Sequence, residues 1–161
     1  MDAHSNTATA SAAGARPAAG RFRSPADVRW FLVALRRGRL VRRRLGEPLP
    51  GTIAALAAMA PVRPPRPEVA WVAAVRASGR LRRLAGGPDT CLVRALIAGS
   101  LLAARGDVRL YLGFRPGEAS AAADGHAWIT GADFELGRDA AAGPEYAPVL
   151  SLPFTSTGSR S

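Results

Sequence analysis

Proline and glycine divide this chain before any other property does. Pro61, Pro64, Pro65 and Pro67 stand within seven residues. A run that dense cannot be helical, because each proline removes a backbone donor and clashes with the preceding turn, so an extended connection is expected there. Pro48 and Pro50 set a turn over Gly46–Gly51, and Gly86-Gly87-Pro88-Asp89-Thr90 breaks the chain again. Helical patterns lie between these breaks. The first opens at Ser24-Pro25-Ala26-Asp27: Ser24 can cap, Pro25 suits the first helical position, and Asp27 meets the positive end of the helix. It is expected to run to about Leu45 and to bury Phe31, Leu32, Leu35 and Val41. A short Ala-rich helix is expected from Thr52 to about Ala60. A third runs from Glu68 to about Leu84, with Val69, Trp71, Val72 and Val75 on its apolar side. A fourth covers Cys91–Arg105 and is closed by Gly106.

Beyond Gly106 the pattern changes. Val108–Phe114 reads as a strand, Arg115–Gly125 as a loop of small residues, and His126–Thr130 with Phe134–Leu136 as the arms of a hairpin. From Gly137 onward no element is expected. Helices first and a small antiparallel sheet second make an α+β arrangement.

The 161 residues suit one domain of the usual roughly 100–200 residues. Residues 1–23 are expected to form a disordered tail and residues 154–161 a frayed end. The domain between them, 24–153, divides into a helical part, 24–86, and a second part, 87–153. Apolar residues make up 48%, enough for a core, which excludes a wholly disordered chain. No apolar stretch reaches the roughly 18–20 residues a bilayer requires, and the first residues lack the pattern of a secretory signal. A cytoplasmic protein without a membrane partner is expected.

The chain has one cysteine and two histidines, which excludes an internal disulfide and leaves little for a metal cage; no cofactor is expected. Thr90 is a plausible N-cap, which places Cys91 in the first turn of the fourth helix. Unpaired N–H groups and the helix dipole favour a thiolate there. On position alone, a lone cysteine at a helix start is more often a small buried apolar residue. His126 opens a strand in Asp124-Gly125-His126-Ala127-Trp128 and is the one imidazole outside the tail. A thiol on a helix start with a later strand-borne histidine is a nucleophile–base layout; a structural histidine is the alternative. The residue orienting the imidazole depends on hairpin register. A turn over Ala132-Asp133 sets Gly131 against Phe134 and His126 against Asp139. A turn over Gly131-Ala132 sets His126 against Gly137, between Glu135 and Asp139. Asp139 survives best; Asp133 and Glu135 stay open.

At these residues the chain resembles the transglutaminase-like leader peptidases of lasso-peptide biosynthesis, the B proteins, in the form whose peptidase stands apart from its leader-binding domain. The matching segments are Cys91-Leu92-Val93-Arg94-Ala95-Leu96, Arg105-Gly106 before a strand ending Leu112-Gly113-Phe114-Arg115, and Gly125-His126-Ala127-Trp128. The resemblance implies a transglutaminase-like, papain-like cysteine peptidase core, with Cys91 as nucleophile and His126 as general base. In the family's ungapped register the acid falls on Arg138, one residue before Asp139, and Thr130 stands where members often carry a glutamate. The implied reaction frees the leader from a ribosomally made precursor. A small pocket would take a threonine side chain before the cut. The implied partners are that precursor, a separate winged-helix-like leader-binding protein docking on the helical part, and the ATP-dependent cyclase that closes the macrolactam.

The formal charge is +10, and every basic residue is arginine. Six arginines fall in Arg36–Arg44. A solvated helix face is the first reading of that cluster, partner docking the second, and nucleic acid the last, because aromatic residues do not interleave with the arginines. Another Cys-His-Asp acyl-transfer enzyme, or a non-catalytic basic binding module, are the competing functions.

Overall fold

The computed structural model describes residues 24–114, 125–138 and 146–155. The tail 1–23, most of the loop after Phe114, Asp139 and residues 156–161 lie outside them. Ser24 starts the first helix α1 (Pro25–Arg43) by a reciprocal cap: its hydroxyl accepts from the Asp27 amide, and the Asp27 carboxylate accepts from the Ser24 amide. Helices α2 (Leu49–Ala58) and α3 (Pro67–Ala85) begin on the prolines that end the preceding turns. Helix α4 (Cys91–Leu102) runs on into a 3-10 turn, Ala103–Arg105, and Gly106 closes it at φ 80°. No described helix is long and apolar enough to cross a membrane.

Alanines carry the packing of α3. Ala70, Ala73, Ala74 and Ala77 are fully buried, while Val69, Val72 and Val75 are half-buried. The valine stripe expected from the sequence is therefore displaced by one step, because α3 lies against both α1 and α4 and a close approach on two sides favours the smallest side chains. The same crowding turns α1: Ala34, Arg37, Gly38 and Val41 face inward, and Leu32, expected in the core, is 56% exposed.

The arginine cluster is only partly a solvated face. Arg37 is buried and donates to the carbonyl of Met59, and burial lowers its pKa. Arg42 donates to the carbonyls of Leu81 and Ala85 at 3.0 and 3.3 Å and to that of Gly86, so it satisfies the open C-terminal end of α3. Arg36, Arg39 and Arg43 remain exposed.

Four antiparallel strands complete the described chain: β1 (Arg109–Phe114), β2 (Gly125–Gly131), β3 (Phe134–Leu136) and β4 (Ala147–Pro153), in the spatial order β3-β2-β1-β4. Leu110, Ala127, Ile129 and Leu136 join Ala95, Leu96, Ile97, Ala98, Leu101 and Leu102 of α4 in one core. The α+β order of helices then sheet is as the sequence predicts, with one strand more. Strand β4 was not expected. Phe154, expected in a frayed end, is 2% exposed, and its amide donates to the Val108 carbonyl. Its ring takes the space above Gly99, where an added Cβ would overlap it.

Candidate active site

Gly86 and Gly87 adopt φ of 65° and 83°, a conformation that costs side-chain-bearing residues about 1 kcal/mol or more. They turn the chain out of α3 and into the loop that ends at Thr90. The Thr90 hydroxyl accepts from the Val93 amide at 3.3 Å, so Cys91 is the first residue of α4. Its backbone N–H has no partner within the helix, and the positive end of the dipole falls on its side chain. The half-buried thiol donates to the Gly125 carbonyl at 3.8 Å. That carbonyl is bonded to the His126 nitrogen, so the sulfur rests against the peptide unit that leads into His126.

The loop before Cys91 is tied at both ends. Arg42 holds it at Gly86. At the other end Asp89, with a side chain only 7% exposed, accepts from Ser78 on α3 at 2.6 Å and from Arg94 Nε at 2.8 Å. The Arg94 hydrogen bond holds the Asp89 carboxyl below the usual carboxylate range, against the opposing effect of burial and with help from Ser78. Arg94 is pushed up in return by its hydrogen bond to Asp89, against the opposing effect of burial.

His126 lies opposite Gly113 of β1. Its Nε2 meets the Gly137 carbonyl at 2.5 Å. A carbonyl can only accept, so Nε2 carries the proton in this bond, and the lone pair of the neutral ring is on Nδ1. The ring packs on Tyr146, centroids 4.9 Å apart, and on Trp128 at 6.2 Å. Trp128 in turn stacks on Tyr111 at 5.6 Å, under the Arg138 guanidinium. Gly137 sits at φ 87° with Trp71 of α3 against it: a Cβ there would fall 2.5 Å from the indole. Both the backbone angle and the space call for glycine.

The structure thus brings the thiol to the peptide unit preceding His126, while the two side chains hydrogen-bond to the carbonyls of Gly125 and Gly137 rather than to each other. Catalytic hydrogen bonds often tighten only once substrate is bound. The hairpin turns over Ala132-Asp133, since Gly131 pairs with Phe134, Thr130 with Glu135 and Ile129 with Leu136. In this register a continued ladder would carry Asp139 opposite His126, but the pairing ends at Leu136 and Asp139 lies outside the described residues. Asp133 is engaged by Arg105 at 2.5 Å, at the hairpin tip, and Glu135 by Arg138 at 3.4 Å. The residue orienting the imidazole among those described is Gly137. A backbone carbonyl leaves no trace in side-chain patterns, so sequence reading passed over it. Asp89 and Arg94 were also missed, although an acid just before a capping threonine and an arginine one turn into the helix are a readable sign of a bridge across the cap.

A family model described as Transglutaminase-like superfamily matches residues 26–151. No curated protein and no solved structure gives a significant match.

Proposed function

The chain belongs to the transglutaminase-like superfamily, and from that premise we propose that it is a cysteine peptidase that removes the leader from a lasso-peptide precursor before the macrolactam closes. The observation that carries this reading is the thiol on the first turn of α4, 3.8 Å from the Gly125 carbonyl and so against the peptide unit leading into His126, whose Nε2 is already committed to Gly137.

The proposed chemistry derives from those groups. His126 Nδ1 takes the Cys91 proton, and the sulfur adds to the carbonyl joining leader to core. The unpaired Cys91 N–H donates to the oxyanion that develops. As the C–N bond breaks, His126 returns its proton to the departing amine of the core. Water, deprotonated by His126, then cleaves the thioester, which frees the leader as an acid and restores the thiol. The amine so released is the nucleophile the ATP-dependent cyclase requires. A winged-helix-like leader-binding protein is the proposed partner that delivers the precursor, with the helical part as its docking side.

The experiment is incubation of the protein and a leader-binding partner with a precursor, followed by mass spectrometry. Free leader and intact core are expected, and Cys91→Ala should lower cleavage by more than about 1,000-fold. A cross-linked adduct would instead identify a transferase. Cleavage unchanged in Cys91→Ala would sink the thiol mechanism, and no cleavage by either form would favour a binding module.

A further inference from the structure

Phe114 takes no part in the reaction steps of the peptidase, yet it ends a strand level with the nucleophile. Side chains at 110, 112 and 114 share one face of β1. Leu110 is fully buried in the core with α4, Leu112 is half-buried against that core, and Phe114 is 44% exposed. The gradient follows from where α4 lies. Gly99 of α4 sits under Phe154, whose amide bonds to Val108 just before β1 starts. Cys91, at the other end of the helix, reaches Gly125, the partner of Phe114 where β1 stops. Helix and strand therefore run in opposite directions, and the row of side chains passes the start of α4 at Phe114. A Cβ on Gly125 would lie 3.2 Å from Phe114 Cε1, so the ring rests on the residue whose carbonyl accepts from the thiol at 3.8 Å. The strand neighbours on its two sides are small, Gly125 and Ala147. Among the described residues Phe114 is the one aromatic side chain in the exposed class.

We propose that Phe114 is a substrate-binding residue: its open ring is an apolar wall beside Cys91 that receives an apolar side chain of the peptide, close to the bond that is cut. This rests on the reading of Cys91 as nucleophile. Thiol and ring touch the same residue, Gly125. Paired residues across a sheet stand about 5 Å apart and extended peptide rises about 3.3 Å per residue, so the side chain received belongs to one of the roughly two residues nearest the bond. Covering a cross-strand glycine is a known use of an aromatic ring, but it occupies only the side turned to Gly125. The remainder stays in water at a cost in unburied apolar area, which a bound apolar group would recover. An aromatic wall with a few polar groups beside it is the usual make-up of a ligand site, and here the polar groups are the thiol and the Gly125 carbonyl. A cationic side chain suits the place less well. Phenylalanine is a weaker cation acceptor than tryptophan, and a chain of formal charge +10 repels cations.

Cys91 is the one cysteine in the chain, so alkylation of the full-length protein reads this thiol alone. Iodoacetamide and N-benzyl iodoacetamide present the same reacting carbon and differ in one apolar ring. The quantity measured is the benzyl-to-plain ratio of their rates, set against the same ratio for glutathione. In the parent it should exceed the glutathione ratio by about 3- to 10-fold, the gain from one aromatic pair. In Phe114→Ala it should fall to the glutathione value, and Phe114→Tyr, which keeps the ring, should restore it. Val62→Ala, a change at an exposed apolar residue between α2 and α3, should keep the parent ratio. In precursor cleavage Phe114→Ala should raise KM by more than it lowers kcat. A parent ratio equal to that of glutathione overturns the proposal, and that measurement needs no variant to fold. A Phe114→Ala ratio that stays at the parent value overturns it too, as does an equal fall in Val62→Ala or an unchanged KM for the precursor. Alkylation needs no precursor, so the two readings fail separately. A raised ratio that is lost in Phe114→Ala, without precursor cleavage, keeps the apolar wall and removes the peptidase. Cleavage through Cys91 with a ratio like that of glutathione does the reverse.

Discussion

Asp89 shows what a single side chain contributes here. It is nearly buried with two donors on one oxygen, so removing it leaves a hydroxyl and a guanidinium to find new partners. Asp89→Ala should cost about 2–3 kcal/mol in urea unfolding. The pH dependence has a definite sign. The carboxyl is held lower in the folded chain than in the unfolded one, where it titrates near 3.9. Its contribution is therefore present above that unfolded value and is lost as pH falls through the lower folded one. The stability gap between the parent and Asp89→Ala should narrow toward acid; a constant gap from pH 7 to 2 would deny the ionic part of the interaction. At this scale the sequence was readable where residue type is rare or positionally restricted. A lone thiol behind Thr90 and a lone imidazole opening a strand stand out from the composition. Partners that act through a backbone atom, such as the carbonyls of Gly125 and Gly137, do not.

Elements were legible where their ends carry their own chemistry. Ser24 with Asp27, Thr90 and Gly106 each mark a boundary by a cap that depends on local residues alone, and the helices start and stop near them. Which face of a helix is buried depends on its neighbours, and there alanines displaced valines on α3. Strand β4 was missed for another local reason. Its sequence, Ala147–Pro153, holds prolines at positions 148 and 153, which argue against a strand unless it lies at an edge. It does lie at the edge beside β1, and its pairing slips between Leu112 and Gly113, so that Leu150 faces Leu112 while Pro148 faces Gly113. Val149 is the residue left over. Besides its ladder to β1 and Leu152 on the core, the element is anchored by Phe154, one residue past its end, whose ring fills the hollow over Gly99. Phe154→Ala should cost about 3–5 kcal/mol, lowering the thermal midpoint. Gly99→Ala should also destabilise, because the added methyl falls into the Phe154 ring. The two changes together should cost less than their sum, since the methyl meets no ring in the double variant. Strict additivity in the cycle would place Phe154 elsewhere.

The proposed site belongs to neither half of the molecule alone. α4 supplies the thiol, the sheet supplies the imidazole, and the carbonyl that orients the imidazole is on Gly137, which rests against Trp71 of α3. Helix α3 thus touches the site twice, through Ser78 at the loop before Cys91 and through Trp71 at the carbonyl behind His126. The two contacts are separable by experiment. Trp71→Ala removes the surface on which Gly137 lies and lets its carbonyl move away from Nε2, while the Ser78–Asp89–Arg94 chain is untouched. A displacement of about 1 Å in a catalytic group can cost up to about 100-fold in rate, so kcat for precursor cleavage should fall by about 10- to 100-fold. The stability lost in Asp89→Ala, which reports the other contact, should be the same with or without Trp71. Gly137→Ala should give the same pattern from the opposite side of the contact, since its methyl would press into the indole and its φ of 87° would be strained. If Trp71→Ala changes both kcat and the cost of Asp89→Ala, then α3 acts on the site as one rigid support. If it changes neither, the Gly137 carbonyl is not what holds His126 in place.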